Sequence, residues 1–292
     1  MEKCTICPRK CNIDREERSG FCGVSWDIKV ARCAPHMWEE DCISGTNGSG
    51  AVFFSGCNLR CVYCQNYNVS TNALGWTVTA EELADEFIRL QNLGVHNINL
   101  VTPTHYTIQI IMSLDIARQR GLNIPVVYNC GGYESVETIK MLKGYVDIFL
   151  TDFKYSDNEM ALRYSAVKDY FNVAKDALDA MFEITGPPVF DESGLIKRGI
   201  IVRHLMLPGY IKDSKKVLKY LHDRFGEDIY ISIMSQYTPL PHVKDYPEIN
   251  RRLYPAEYKR LVEYAIDIGI VNGFVQDMET ADESFIPEFM GE

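Results

Sequence analysis

Short apolar runs recur along this chain, separated by longer amphipathic stretches, and that alternation limits the available folds more than any single residue does. The runs are Val52–Phe54, Asn97–Thr102, Pro125–Asn129, Val146–Leu150, Ile200–Met206 and Ile229–Met234, and each is expected as a buried strand. The segments between them have readable helix ends. Thr79-Ala80-Glu81-Glu82 opens a helix with a capping box, and Gly94 is placed to end it after Leu93. Further helices are expected over Thr107–Arg120, Ser135–Lys143, from Ser156-Asp157-Asn158-Glu159 onward, Lys168–Ile184, Ser214–Phe225 and Pro255–Ile268. Six strands with helical crossovers imply an α/β fold, a parallel sheet with helices outside. Pattern alone does not separate an open barrel from a flat doubly wound sheet.

A length of 292 residues fits one large domain with some chain left for an appendage. The net charge of −10 argues against a nucleic-acid surface, which needs a basic footprint to neutralise phosphates. Met1-Glu2-Lys3-Cys4 opens no apolar targeting segment and no apolar stretch approaches spanning length, so no membrane partner and a cytoplasmic location are expected. In that compartment the ten cysteines read as metal ligands rather than disulfides.

Three of them crowd into Cys57-Asn58-Leu59-Arg60-Cys61-Val62-Tyr63-Cys64, directly after the first apolar run. Three thiolates can hold three corners of a 4Fe–4S cube, whereas an electron-transfer cluster normally takes four cysteines. The remaining iron is then open to a ligand, as a catalytic zinc keeps an open position. A zinc site would need a fourth Cys or His nearby, and none stands at knuckle spacing. A thioredoxin-type pair would need a redox βαβ opening around Cys61 and Cys64, which is also missing.

The segment before Ala51 has a different character. Cys4, Cys7, Cys11 and Cys22 are spaced C-x2-C-x3-C-x10-C in a stretch too short and polar to build a core unaided. Four thiols can supply a complete metal site that staples such an arm; zinc and a second iron–sulfur cluster both fit. Cys33 and Cys42 read as small apolar packing residues. Residues 1–50 are therefore expected as a cysteine-rich arm and residues 51–292 as the main domain.

The C-x3-C-x2-C loop, the strand before it and Gln65-Asn66 after it resemble the radical S-adenosylmethionine (SAM) superfamily. The arm's Cys-x-x-Cys-Pro-Arg-x-Cys, His36-Met37-Trp38-Glu39-Glu40, Gly48-Ser49-Gly50 and Thr102-Pro103-Thr104-His105 look like an uncharacterised branch of it, similar to pyruvate formate-lyase activating enzymes. The resemblance implies a partial (β/α)6 barrel carrying a short cysteine-rich N-terminal arm. It also implies a 4Fe–4S cluster on Cys57, Cys61 and Cys64 whose open iron chelates SAM. Tyr63 matches the aromatic position near the adenine. Thr102 and Thr104 stand where relatives carry a Gly-Gly-Glu stretch that binds the methionyl amine. Asn129 matches a ribose or cation position, Asp152 and Lys154 match an Asp-x-Lys pair, and Arg203 matches an arginine that can grip a carboxylate. Each charged residue has the alternative of a satisfied ion pair at a barrel rim. Cys130, His105, His204 and Tyr237 have the alternative of plain packing. Glu39 and Glu40, beside His36, are expected to cap or brace the arm rather than act as acid and base.

The activity so implied is reductive cleavage of SAM to methionine and a 5′-deoxyadenosyl radical, fed by a low-potential donor such as flavodoxin or ferredoxin under anaerobic conditions. The radical would take hydrogen from a protein, a glycyl-radical enzyme in the activase analogy; alternatively the substrate is a peptide or small molecule. A non-enzymatic redox-sensing metal module would leave six strands with aligned polar ends unexplained.

Overall fold

The computed structural model describes residues 3–276 and Phe289. The chain enters the sheet as β1 (Ile28–His36), turns through the short helix α1 (Asp41–Ser44) and returns antiparallel as β2 (Ser49–Phe54). After the cysteine loop and α2 (Tyr67–Ser70), β3 (Trp76–Val78) adds to the free edge of β1. Helices and strands then alternate: α3 (Ala80–Asn92), β4 (Ile98–Val101), α4 (Thr107–Gln119), β5 (Val126–Cys130), α5 (Val136–Met141), β6 (Ile148–Asp152), α6 (Asn158–Ser165) and α7 (Tyr170–Thr185). A two-residue strand, β7 (Val189–Phe190), lies against β8 (Ile196–Leu205); α8 (Ile211–Phe225), β9 (Tyr230–Met234), α9 (Pro255–Asp267) and β10 (Gly273–Val275) follow. The sheet order is β10-β9-β8-β6-β5-β4-β2-β1-β3, parallel from β2 through β10.

The six strands expected from apolar runs are β2, β4, β5, β6, β8 and β9, and all six are parallel neighbours. The α3 capping box is also formed: Glu82 N donates to Thr79 Oγ1 at 3.1 Å, and Thr79 N donates to the Glu82 carboxylate at 2.8 Å. The short or mixed-polarity strands β1, β3, β7 and β10 gave no such signal. β1 carries Lys29, Arg32 and Pro35, yet its Val30 and Ala31 are fully buried, so the sheet takes in part of the first fifty residues. The main domain expected over 51–292 runs past Gln276 into residues that, Phe289 apart, lie outside those described.

The two faces of the sheet have separate cores. Leu100, Tyr128, Phe149, Val202 and Ile231 share one with Phe87 of α3, Leu114 of α4, Leu178 of α7 and Leu221 of α8. Val127, Ile148, Leu150 and Ile201, one residue out of phase, share another with Cys42 and Ile43 of α1. The helices thus cover the outer face, and α1 plugs the inner one. Ile43 is wholly buried, and truncating such a side chain to alanine costs about 2–5 kcal/mol.

Residues 3–27 contain no helix or strand and are held mainly by side chains. Arg9 is the principal clamp. Its guanidinium lies 3.6 Å from the Phe21 ring centroid and donates to Asn58 O (2.8 Å), Ala166 O (2.6 Å) and Ser165 O (3.0 Å). One side chain thereby ties the arm to both the cysteine loop and the end of α6. Among the described residues no helix is long and apolar enough to cross a membrane.

Candidate active site

Because β2, β4, β5, β6 and β8 run parallel, the segments after them meet at one edge of the sheet. In β/α barrels that carboxyl edge is where chemistry is placed. The cysteine loop follows β2, Thr102 follows β4, Asn129 and Cys130 end β5, Asp152 ends β6, and Arg203 lies opposite Asp152 in register. The sequence-predicted site residues are therefore gathered at one end of the molecule, although their side chains do not all point to one centre.

The loop is built around its sulfurs. Gly56 enters it at φ +85°, and a Cβ there would stand 2.6 Å from Cys22 O, so only glycine fits. Cys57 Sγ accepts from Leu59 N (3.3 Å), Cys61 Sγ from Ser165 Oγ (2.9 Å) and Cys64 Sγ from Ser70 Oγ (3.3 Å). Burial pushes the Cys57 thiol up to about 12 and raises that of Cys64, so without a partner both stay protonated. Hydrogen bonds donated to buried sulfur suit an electron-rich thiolate held by metal, which fits the residues to an iron–sulfur cluster. Among the described residues, no three Cys, His, Asp or Glu side chains converge on a single-ion site. A four-iron cube spreads its cysteines farther apart than one ion does.

Behind Cys61 runs a line of hydroxyls. Ser165 Oγ lies 2.7 Å from Tyr155 OH, which lies 2.7 Å from Tyr63 OH, all buried. With Ser165 donating to sulfur, Tyr155 donates to Ser165 and Tyr63 to Tyr155. This fixes the Tyr63 ring between Cys61 and Cys64. Tyr155 and Ser165 were not singled out from the sequence, since neither hydroxyl stands in a motif.

Around the sulfurs, Lys154 pairs with Asp152 and both are largely buried. Burial draws the Lys154 ammonium down, but the neighbouring Asp152 carboxylate outweighs it, and its affinity for the proton ends well above the ordinary value. Thr102 has φ +59°, an outlier for a β-branched residue, and its N–H donates to Asn129 O at 2.8 Å. Backbone strain of this kind concentrates at binding sites.

Thr104 faces the other way. Its hydroxyl donates to the buried Glu134 carboxylate at 2.8 Å, and Tyr128 OH donates to the same carboxylate at 3.4 Å. Burial pushes Glu134 up to about 8. Cys130 donates to Thr151 Oγ1 at 3.4 Å inside the core. His105 and His204 donate to Ser55 O and Phe153 O, each at 2.8 Å, and Tyr237 donates to Ile249 O at 2.8 Å. These side chains are committed to the scaffold.

On the sheet's inner face lies a second polar group. Arg203 Nε donates to Glu40 at 2.9 Å, and its terminal nitrogen pairs with both Glu40 (2.5 Å) and Glu39. Asn99 donates to Glu39 at 2.7 Å and Asn129 to the same oxygen at 3.4 Å. Glu39 and Glu40 thus brace Arg203 rather than the arm: the turn after β1 carries them onto the inner face of the sheet. Despite burial, the Arg203 guanidinium holds Glu40 below the usual carboxylate range.

The family model described as the radical SAM superfamily matches residues 51–221. An uncharacterised protein of Methanocaldococcus jannaschii is 31% identical over 276 residues, covering 91% of this chain and 75% of the relative. The pyruvate formate-lyase-activating enzyme of Clostridium pasteurianum is 30% identical over 122 residues, 40% of this chain and 50% of that enzyme. Among solved structures, Streptococcus suis SuiB bound to its precursor peptide SuiA shares the fold at a TM-score of 0.53 and 16% identity, over 77% of this chain. This chain spans 48% of SuiB.

Proposed function

Since the chain belongs to the radical SAM superfamily, whose members use a 4Fe–4S cluster and SAM, we propose that Cys57, Cys61 and Cys64 hold that cluster and that the protein cleaves SAM reductively. The carrying observation is the loop itself: three cysteine sulfurs at the carboxyl edge of a parallel sheet, each receiving a hydrogen bond, with no fourth cysteine between Cys57 and Cys64. The cluster supplies an electron and an open iron, and the protein supplies position and a dry surrounding. Thr102 carbonyl geometry and the Lys154 ammonium serve the amino-acid end of SAM, Asn129 stands towards its ribose, and Tyr63 backs the adenine. Arg203 is already held by Glu39 and Glu40, so Lys154 carries the larger share. The electron comes from a low-potential protein donor of the flavodoxin or ferredoxin class.

The hydrogen donor in this reading is a polypeptide, a glycyl residue of a partner enzyme, supported by the similarity to the Clostridium pasteurianum activating enzyme. Incubating reduced, anaerobically reconstituted protein with SAM tests the cleavage. 5′-Deoxyadenosine should form, and should vanish when Cys57→Ala, Cys61→Ala and Cys64→Ala are combined. Cleavage persisting in that variant defeats the assignment. A glycyl radical appearing by electron paramagnetic resonance (EPR) on a candidate partner would identify the substrate class, and its absence across glycyl-radical candidates would shift the reading to another peptide or a small molecule.

A further inference from the structure

The arm's cysteines are drawn together at a place the comparisons leave unassigned. The arm's backbone folds back on itself around two of them: Lys10 N donates to Cys7 O and Asn12 N to Cys4 O, each at 3.0 Å. Phe21 N donates to Cys11 Sγ at 3.5 Å. A Cβ placed on Gly20 would touch both Cys11 Sγ (3.4 Å) and Cys22 Sγ (3.7 Å), so those two sulfurs flank one glycine. Cys4 lies close enough to act electrostatically on both Cys7 and Cys22.

Two arginines lie beside this group, and Glu134 also acts on Cys7. Arg15 is only 5% exposed; its guanidinium donates to His105 O and Ser25 O, while its buried Nε has no partner. That charge acts on the Cys22 thiol, and Arg9 acts on Cys7 and Cys11. A buried arginine beside four neutral thiols is an uncompensated charge, whereas beside a tetrathiolate centre, which is anionic, it is balanced. Finally, Cys22 O accepts from Cys57 N at 3.1 Å, so one arm ligand is a single hydrogen bond from a loop ligand.

We propose that Cys4, Cys7, Cys11 and Cys22 bind a second, four-thiolate iron–sulfur cluster, locked to the Cys57–Cys64 loop through the Cys22–Cys57 backbone bond. Iron–sulfur is favoured over zinc because Cys22 lies one backbone hydrogen bond from the loop that takes the other cluster. With four protein thiolates its irons are closed to SAM, which distinguishes its role from that of the three-cysteine cluster. The close backbone link places two such clusters within magnetic reach of each other.

The test uses the full chain lacking Cys57, Cys61 and Cys64, so it does not depend on the SAM chemistry. After anaerobic reconstitution this variant should still hold about four iron and four sulfide per chain and give a reducible cluster signal unchanged by SAM. Adding Cys11→Ser and Cys22→Ser should remove it. Absence of iron, or stoichiometric zinc in its place, overturns the proposal. Should the triple variant fail to fold, Cys11→Ser with Cys22→Ser in the otherwise native chain serves instead. Iron should then fall from about eight to about four per chain, and the spin–spin broadening of the reduced EPR spectrum should disappear. An unchanged iron content and spectrum would refute the second cluster.

Discussion

The cysteine loop and the ionic group around Arg203 occupy the same sheet yet are assembled in opposite ways. In the loop all three sulfurs lie within eight residues, and two of them take hydrogen bonds from groups close by in sequence. The inner group joins Glu39 and Glu40 to Arg203 across more than 160 residues and draws in Asn99 and Asn129. On the function proposed above, the first is a metal-binding loop that the barrel only has to present. The second exists only when β4, β5, β8 and the turn before α1 are all in place, so it reports on the fold more than on the chemistry.

That contrast predicts different losses. Replacing Arg203 by Met leaves two buried carboxylates uncompensated, and unfolding in denaturant should show a loss of about 3–5 kcal/mol. SAM affinity should change less than stability does. A variant of native stability that has lost SAM would erase the distinction and return Arg203 to the cofactor site.

Lys154→Met should show the reverse balance. Losing a charge-assisted contact to the cofactor costs about 1.5–3 kcal/mol, roughly ten- to hundred-fold in SAM affinity. Titration of the cluster-loaded protein measures it directly, and unchanged affinity would make Lys154 a partner of Asp152 alone.

Ser165→Ala removes one hydrogen bond to Cys61 and leaves the Tyr155 and Tyr63 hydroxyls in place. Its cost in stability should be only about 0.5–1.5 kcal/mol, while the reduction potential of the cluster should move, because hydrogen bonds to cysteine sulfur tune it. An unmoved potential would separate the hydroxyl line from the cluster.

The last effect concerns acid stability. Burial, then the neighbouring Arg15 charge, pushes His105 down to about 3. Its unfolded value is about 6.5, so the unfolded chain takes up the proton first and stability falls as pH drops from there towards 3. His105→Gln should flatten that part of the pH–stability curve. A curve of unchanged slope would show that other groups dominate it.

The same division explains what the sequence reveals. Six strands and the α3 cap are legible because apolar runs and capping residues act locally. The gathering of Cys57, Cys61 and Cys64 is legible because all three stand in one short loop. β1 escapes notice because Lys29, Arg32 and Pro35 interrupt its pattern, although pairing with β2 buries Val30 and Ala31. The partners of Arg203 and the hydrogen bond from Thr104 to Glu134 depend on which face each strand turns inward. A one-residue phase decides that, and motifs do not encode it.

The most direct test of the central claim, that three thiols leave one iron open to SAM, is the EPR spectrum of the reduced protein before and after SAM is added. A variant lacking Cys11 and Cys22 keeps the reading to the loop cluster. SAM chelating the open iron should change the g-values of that cluster, and the change should be weaker at equal SAM concentration in Lys154→Met. A spectrum indifferent to saturating SAM would contradict the account.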